Sequence, residues 1–301
     1  MMRLIGLFRE AECSPGRHRS NDAQLLEQVA LALRRRGFRV DLMTVEDAAA
    51  SRRSAAMVFS MCQGWTALEA ITRWELEGTR VVNSPRASLN TYRDRLPAVM
   101  RAAGIPFPPT RLVATARQVG LAADVNGGVW LKRGDVHASV SADVQWIDSA
   151  EGLRAGLRDF ALRGIVRAAL QPHCEGDEVK FYGVAGAGLF RWFYPGDGPV
   201  EARHYRPGMG GDPDPPGRHK LDVAALRRLT ENAAAAAGLD IFGGDVIVAP
   251  SGELTLIDLN DWPSFAPCRD AASEAIADHL MRRVDAAWNT GLVSSANESA
   301  V

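Results

Sequence analysis

Residues 243–265, GGDVIVAPSGELTLIDLNDWPSF, carry the side chains whose spacing best defines a chemistry. Two alternating apolar runs flank PSGE, which predicts a β-hairpin. With PSGE as a four-residue turn, Ala249 faces Leu254, and counting back along both strands sets Asp245 directly opposite Asp258. Asn260 lies two residues on and shares the face of Asp258. Ile247, Ala249, Leu254 and Leu256 are expected on that face too, with Val246, Val248, Thr255, Ile257 and Leu259 on the other. Two uncompensated carboxylates in such an apolar setting repel each other, and each loses solvation. A divalent cation resolves both costs. Two carboxylates and an amide oxygen suit magnesium, or manganese in its place, which keeps waters and takes further ligands from phosphate oxygens. Asx residues also end strands, which accounts for Asn260 and Asp261 but not for the facing Asp245.

The elements that must position this hairpin can be read along the chain. LIGLF reads as a buried strand, followed by a helix from about Asn21 with Leu25, Leu26, Val29 and Leu33 at helical spacing and Gly37 at its end. FRVDLM, AAMVFSM and RVVNSP follow as short strands separated by helices such as TALEAITRWELEG, and this alternation predicts a parallel sheet covered by helices. The prolines of GIPFPPT forbid helix and mark an extended connector. Beyond it GGVWLKRG, ADVQWID, IVRAALQPH, VKFYGVAG and LFRWFYP read as strands of an antiparallel lobe, with a helix inserted from about Glu151 to Arg163. The segment Glu201 to Lys220, rich in proline and glycine, cannot be a regular element and reads as a functional lid or a disordered loop. An alanine-rich helix closed by Gly238 leads into the hairpin, and a last helix starts near Cys268. The expected division is an N-terminal α/β domain over residues 1–104, a central small lobe over 105–195, a C-terminal lobe with the metal site over 196–290, and a frayed tail over 291–301.

Composition excludes several classes. Lys plus Arg number 35 against 36 Asp plus Glu, so no global field steers the protein to nucleic acid or an anionic membrane. The first apolar run, in MMRLIGLFRE, breaks at Arg9 and Glu10, too short for a signal-peptide core or a membrane span, and a cytoplasmic location is expected. The 4 cysteines, Cys13, Cys62, Cys174 and Cys268, form no CxxC pair, which argues against a zinc knuckle or a disulfide framework. No GxxxxGK[ST] loop, Rossmann GxGxxG, HExxH or GxSxG elbow is present. Nothing in the sequence specifies an oligomeric state.

Taken in order, VVNSP followed by YRDR, then AGIPFPPT, VWLKRGD, LQPHCEGDEVKFYGV and GGDVIV with LIDLND resemble the ATP-grasp superfamily over roughly residues 80–270. The resemblance implies an α/β and α+β architecture: an N-terminal parallel α/β lobe, then two lobes that clamp ATP. It implies Lys132 as the strand lysine that meets the phosphates, and Gln171, Pro172 and His173 as the hinge bordering adenine through main-chain groups. Glu178 falls where a ribose-binding acid is common, and Lys180 points toward nucleotide or acceptor in similar proteins. Asp245, Asp258 and Asn260 match the magnesium ligands, in agreement with the hairpin geometry. In the family's ligases, Glu is usual where Asp258 stands and Lys where Arg95 stands, and RGDVHAS replaces the usual glycine-rich loop. The first two departures resemble the inositol-phosphate kinase branch of the superfamily.

The expected reaction is transfer of the terminal phosphoryl group of magnesium-ATP, which demands positioning and charge neutralisation more than covalent chemistry. Lys132, Arg95 and Lys180 are the expected catalytic cations. In a ligase the acceptor is a small-molecule carboxylate that is then joined to an amine; in a kinase it is an alcohol. A nucleotide-binding protein without catalysis is a third class, against which the facing carboxylates argue. Arg203 and Arg206 of the proline-rich segment, with Ser264 and Arg269 at the start of the last helix, are candidates for holding an anionic acceptor.

Overall fold

The computed structural model describes residues 2–14, 17–51, 55–116, 125, 127–136, 140–195 and 218–298. Strands β1 (Arg3–Leu7), β2 (Arg39–Met43), β3 (Met57–Ser60) and β4 (Val81–Val82) form a parallel sheet in the order β2-β1-β3-β4. Leu4 to Leu7 are all buried, as expected for a parallel strand covered on both faces. The covering helices are α1 (Arg17–Arg35), α2 (Val45–Ser51) and α3 (Trp65–Leu76), with α4 (Pro85–Asn90) and α5 (Leu96–Ala102) leading out of the lobe. Helix α1 starts at Arg17, one turn before Asn21, and presents the fully buried Leu25, Leu26, Val29 and Leu33 to the sheet. Gly37 follows it at φ 87°, a left-handed conformation that glycine adopts without a Cβ clash.

The central sheet is antiparallel, in the order β5-β8-β6-β7, from β5 (Arg111–Ala114), β6 (Val129–Arg133), β7 (Val144–Ile147) and β8 (Arg167–Pro172). Helix α6 (Ala150–Leu162), capped by the Ser149 hydroxyl accepting from the Gly152 N–H, lays Leu153, Leu157 and Phe160 on Leu131, Ile147 and Leu170. This core is separate from those of the rest of the molecule.

The third sheet, β10-β9-β11-β12, contains β9 (Asp177–Val184), β10 (Phe190–Phe193), β11 (Ile241–Val248) and β12 (Leu254–Asp261), all antiparallel. The stretches VKFYGVAG and LFRWFYP, assigned from sequence to the central lobe, therefore hydrogen bond into the third sheet, and the change of sheet falls between Pro172 and Asp177 rather than near 195. Helix α7 (Val223–Ala237), capped by Asp222 and closed by Gly238 at φ 82°, packs Leu226, Ala233, Ala234 and Ala237 against Val246, Val248, Leu256 and Leu259. The final helix, α8 (Arg269–Glu298), continues past the expected boundary at 290. Its Ala272, Ile276 and Leu280 join Leu25, Leu26, Val29 and Leu33 of α1 in one cluster with Ile241, Trp262 and Phe265. The first and third lobes thus share a core, and the central lobe faces them across a cleft. Among the described residues no helix is long and apolar enough to cross a membrane.

Candidate active site

The hairpin of β11 and β12 sets Asp245 opposite Asp258 and Gly243 opposite Asn260. Two local features produce this register. The turn is one residue shorter than PSGE: Gly252, at φ 84°, donates its N–H to Ala249 O at 2.8 Å, and Ala249 N–H donates to Glu253 O at 2.9 Å. A bulge between Asp245 and Val246 then restores the lost residue, since Val246 faces Leu256 and Ile257 is extra. The bulge also changes which side chains share the acidic face. Leu256, expected beside the carboxylates, is buried in the core with Val246 and Val248, and Ile257, expected on the reverse, lines the cleft with Ile247. Gly244 is required by close approach, because a Cβ there would stand 2.2 Å from Asp258 O.

The expectation of uncompensated carboxylates is overturned. Asp245 accepts from Lys180 Nζ at 2.6 Å, through the direct pairing of the two residues across β11 and β9, and Asp258 accepts from Arg93 Nη2 at 2.6 Å. Lys180 is also 3.0 Å from Glu178. Burial works to lower the Lys180 pKa, but Asp245 and Glu178 outweigh it and raise the ammonium above its ordinary range. Burial raises the Asp245 carboxyl, with Lys180 acting against it and Glu178 and Asp258 adding to it.

Between the central and third sheets lies a cleft of about 340 Å3 walled by Lys132, Arg93, Asp245 and Asp258 at one end and by Trp130, Pro172 and His173 at another. That volume suits a small-molecule or cofactor site. Lys132 on β6 is 8% exposed and approaches Ile257 O at 3.5 Å; burial lowers its pKa against the raising effect of Asp258, and Arg93 lowers it further. Gln171 is buried and donates to Thr110 Oγ1, while His173 Nδ1 accepts from Trp130 Nε1. Glu178 lines the same cleft. A second chamber, of about 180 Å3, is lined by Arg9, Lys180, Tyr182, Asn260 and Ser264, and Asp245 belongs to both chambers.

Not every sequence-derived candidate reaches these chambers. Arg95 lies over the Trp65 ring at 5.9 Å and lines a different cavity with Tyr92 and Arg133, so Arg93 is the YRDR arginine brought to the cleft. The two are only two residues apart in the turn before α5, and sequence carried no sign of which faces inward. Arg269 donates to Asn21 Oδ1 and Gln24 Oε1, fixing the start of α8 to α1. Arg203 and Arg206 lie outside the described residues, as do residues 201–217 of the proline-rich segment.

Sequence reasoning also missed Arg9 and Asp261. Arg9 Nε donates to Met61 O at 3.1 Å and Nη2 to Trp262 O at 2.6 Å, which ties the end of β1 to the end of β12. Asp261, fully buried, accepts from Asn83 Nδ2 and Ser88 Oγ, and Asn83 Oδ1 in turn accepts from the N–H groups of Asp240 and Ile241. These bonds hold the first lobe against the strand that bears Asp258 and Asn260.

Among the described residues no group of three or more His, Cys, Asp or Glu is placed to hold a metal, so a cation here depends on two carboxylates and the Asn260 amide. The set is all hard oxygen on adjacent positions of one sheet face, which fits magnesium chemically provided Lys180 and Arg93 yield part of each carboxylate.

No protein-family model and no curated protein matches the chain. Its structure is similar to that of the D-alanine-D-alanine ligase from Coxiella burnetii (TM-score 0.69, 12% identity, 99% of this chain and 100% of that one). It is also similar to a RimK domain ATP-grasp protein from Sphaerobacter thermophilus DSM 20745 (TM-score 0.67, 18% identity, 93% and 99%). A third similar structure is the D-cycloserine synthetase DcsG (TM-score 0.62, 17% identity, 93% and 99%). Three sheets in this order, with a cleft between the last two, make this an ATP-grasp fold, a likeness that spans 93% of the chain in the RimK domain protein.

Proposed function

We propose that the protein is an ADP-forming ligase that uses magnesium-ATP to activate a small-molecule carboxylate and join it to an amine. The observation that carries the reading is the meeting of two chambers at Asp245, one with Lys132 and Arg93 on its wall and the other with Lys180, Asn260 and Ser264. Nucleotide in the first would present its terminal phosphate to an acceptor in the second. The ligases among the similar structures support the same reading.

Lys132 and Arg93 bind and orient the phosphates, and their fixed charge stabilises the negative charge that develops in transfer. Gln171, Pro172 and His173 border the base, and Glu178 stands where the ribose would lie. Asp245, Asp258 and Asn260 would hold magnesium, which supplies Lewis-acid neutralisation of phosphate oxygens. An acceptor carboxylate oxygen attacks the terminal phosphorus and ADP leaves; the amine then attacks the carbonyl carbon of the acyl phosphate and inorganic phosphate leaves. Lys180 and Arg9 are the cations on the wall of the acceptor chamber, among Asp22, Asp245 and Asp261, and they are the groups that would meet an acceptor carboxylate.

A kinase reading retains one specific support, the Asp258-x-Asn260 spacing. Hydroxylamine separates the two. With an acceptor pool that supports ADP release, trapping of a hydroxamate is expected; a stable phosphomonoester without hydroxamate would replace the ligase by a kinase.

A further inference from the structure

Arg93 is 6% exposed, and its guanidinium is only partly engaged: Nη2 donates to Asp258, while Nε and Nη1 are buried without a hydrogen-bond partner. Buried donors of a charged group are rarely left open, and the arginine that bears these two lines the cleft. They call for an anion. On the facing strand the arrangement repeats, with Lys180 on Asp245. Each carboxylate of the proposed metal site therefore already carries a cation of the protein's own.

From this we infer that Arg93 and Lys180 guard the two carboxylates against free divalent cations and release them when phosphate oxygens take over the guards. The inference rests on the nucleotide and metal assignments proposed above. A divalent ion arriving alone must share Asp258 with a guanidinium 2.6 Å away and Asp245 with an ammonium at 2.6 Å, in a site where burial weakens screening. Like-charge repulsion then opposes the carboxylate attraction. A phosphate would change the sign of the balance, because its oxygens offer the Arg93 guanidinium a competing anion that draws it off Asp258. Nucleotide and metal then bind as one unit, and each strengthens the other by the same factor. The arrangement makes Arg93 a positioning residue for the metal as well as a phosphate ligand.

Manganese, titrated into the full-length protein and followed by electron paramagnetic resonance with and without a non-hydrolysable ATP analogue, tests this. Wild type is expected to bind manganese at least about tenfold more tightly with the analogue than without it. Arg93→Gln is expected to raise manganese affinity without nucleotide by about tenfold or more, since a positive charge leaves the carboxylate. Lys180→Gln should act in the same direction through Asp245 and carries the test on its own if Arg93→Gln does not fold. Adding Asp258→Asn to Arg93→Gln should remove the gain. A purely structural Arg93 would give only loss. Manganese affinity without nucleotide that is equal in wild type and both variants would overturn the guard while leaving nucleotide binding in place. Failure of the analogue itself to bind wild type, measured by calorimetry, would overturn the nucleotide assignment and the guard together.

Discussion

Arg93 Nη2 stands 2.6 Å from Asp258 Oδ2, with 7% and 14% of the two side chains exposed. A buried pair broken on one side leaves the other charge without compensation. Asp258→Asn is therefore expected to destabilise the metal-free protein by roughly 3 kcal/mol, the opposite sign from that expected of two repelling carboxylates. Urea unfolding in the presence of a chelator measures it, and a variant more stable than wild type would show that the carboxylates behave as isolated charges.

Lys132 makes one long contact to Ile257 O, and burial holds its pKa below the ordinary lysine value. Lys132→Ala should leave the thermal midpoint unchanged or higher, because a desolvated charge is removed. Magnesium-ATP affinity should fall by about tenfold or more. Titration calorimetry showing unchanged affinity would remove Lys132 from the phosphate site.

The two arginines of YRDR should separate cleanly. Arg93→Ala is expected to weaken magnesium-ATP binding, whereas Arg95→Ala, which removes a residue lying over Trp65, should leave it unchanged. The reverse result would restore the assignment first drawn from the sequence.

Alternation of strand and helix made the first lobe legible, since burial on both faces of β1 and the 3.6-residue spacing of α1 both write themselves into residue type. The acidic hairpin was legible for a less secure reason. Its turn is one residue shorter than PSGE, and the bulge at Ile257 supplies one residue back, so the opposition of Asp245 and Asp258 survived while the faces of Leu256 and Ile257 exchanged. Pairing partners were not legible. Strand β9 follows β8 in sequence yet pairs with β11, which brings Lys180 to Asp245 over a separation that periodicity does not encode. Asp261 read as a strand-end residue because its partners, Asn83 and Ser88, come from another lobe.

Burial raises the Asp261 carboxyl from the ordinary 3.8 to about 6, against the lowering effect of bonds from Ser88 and Asn83. A folded-state pKa above the unfolded one means that the folded protein binds this proton more tightly. The associated stability is present below about pH 4 and lost as pH rises through 6. Asp261→Asn lacks this titration, so the stability of wild type relative to the variant should fall by about 3 kcal/mol between pH 4 and pH 7. Thermal melts across that range measure the difference, and a difference that stays flat or grows with pH would contradict the buried, proton-retaining carboxyl.

In the proposed reaction an acceptor carboxylate oxygen attacks the terminal phosphorus of ATP. Labelling both oxygens of a turnover-competent carboxylate acceptor with oxygen-18, and following the products by mass spectrometry, reads that bond directly. The account predicts ADP free of label and inorganic phosphate carrying one labelled oxygen, with one labelled oxygen left in the amide product. Label recovered in AMP, or phosphate released without label while the acceptor carboxylate keeps both labelled oxygens, would contradict it.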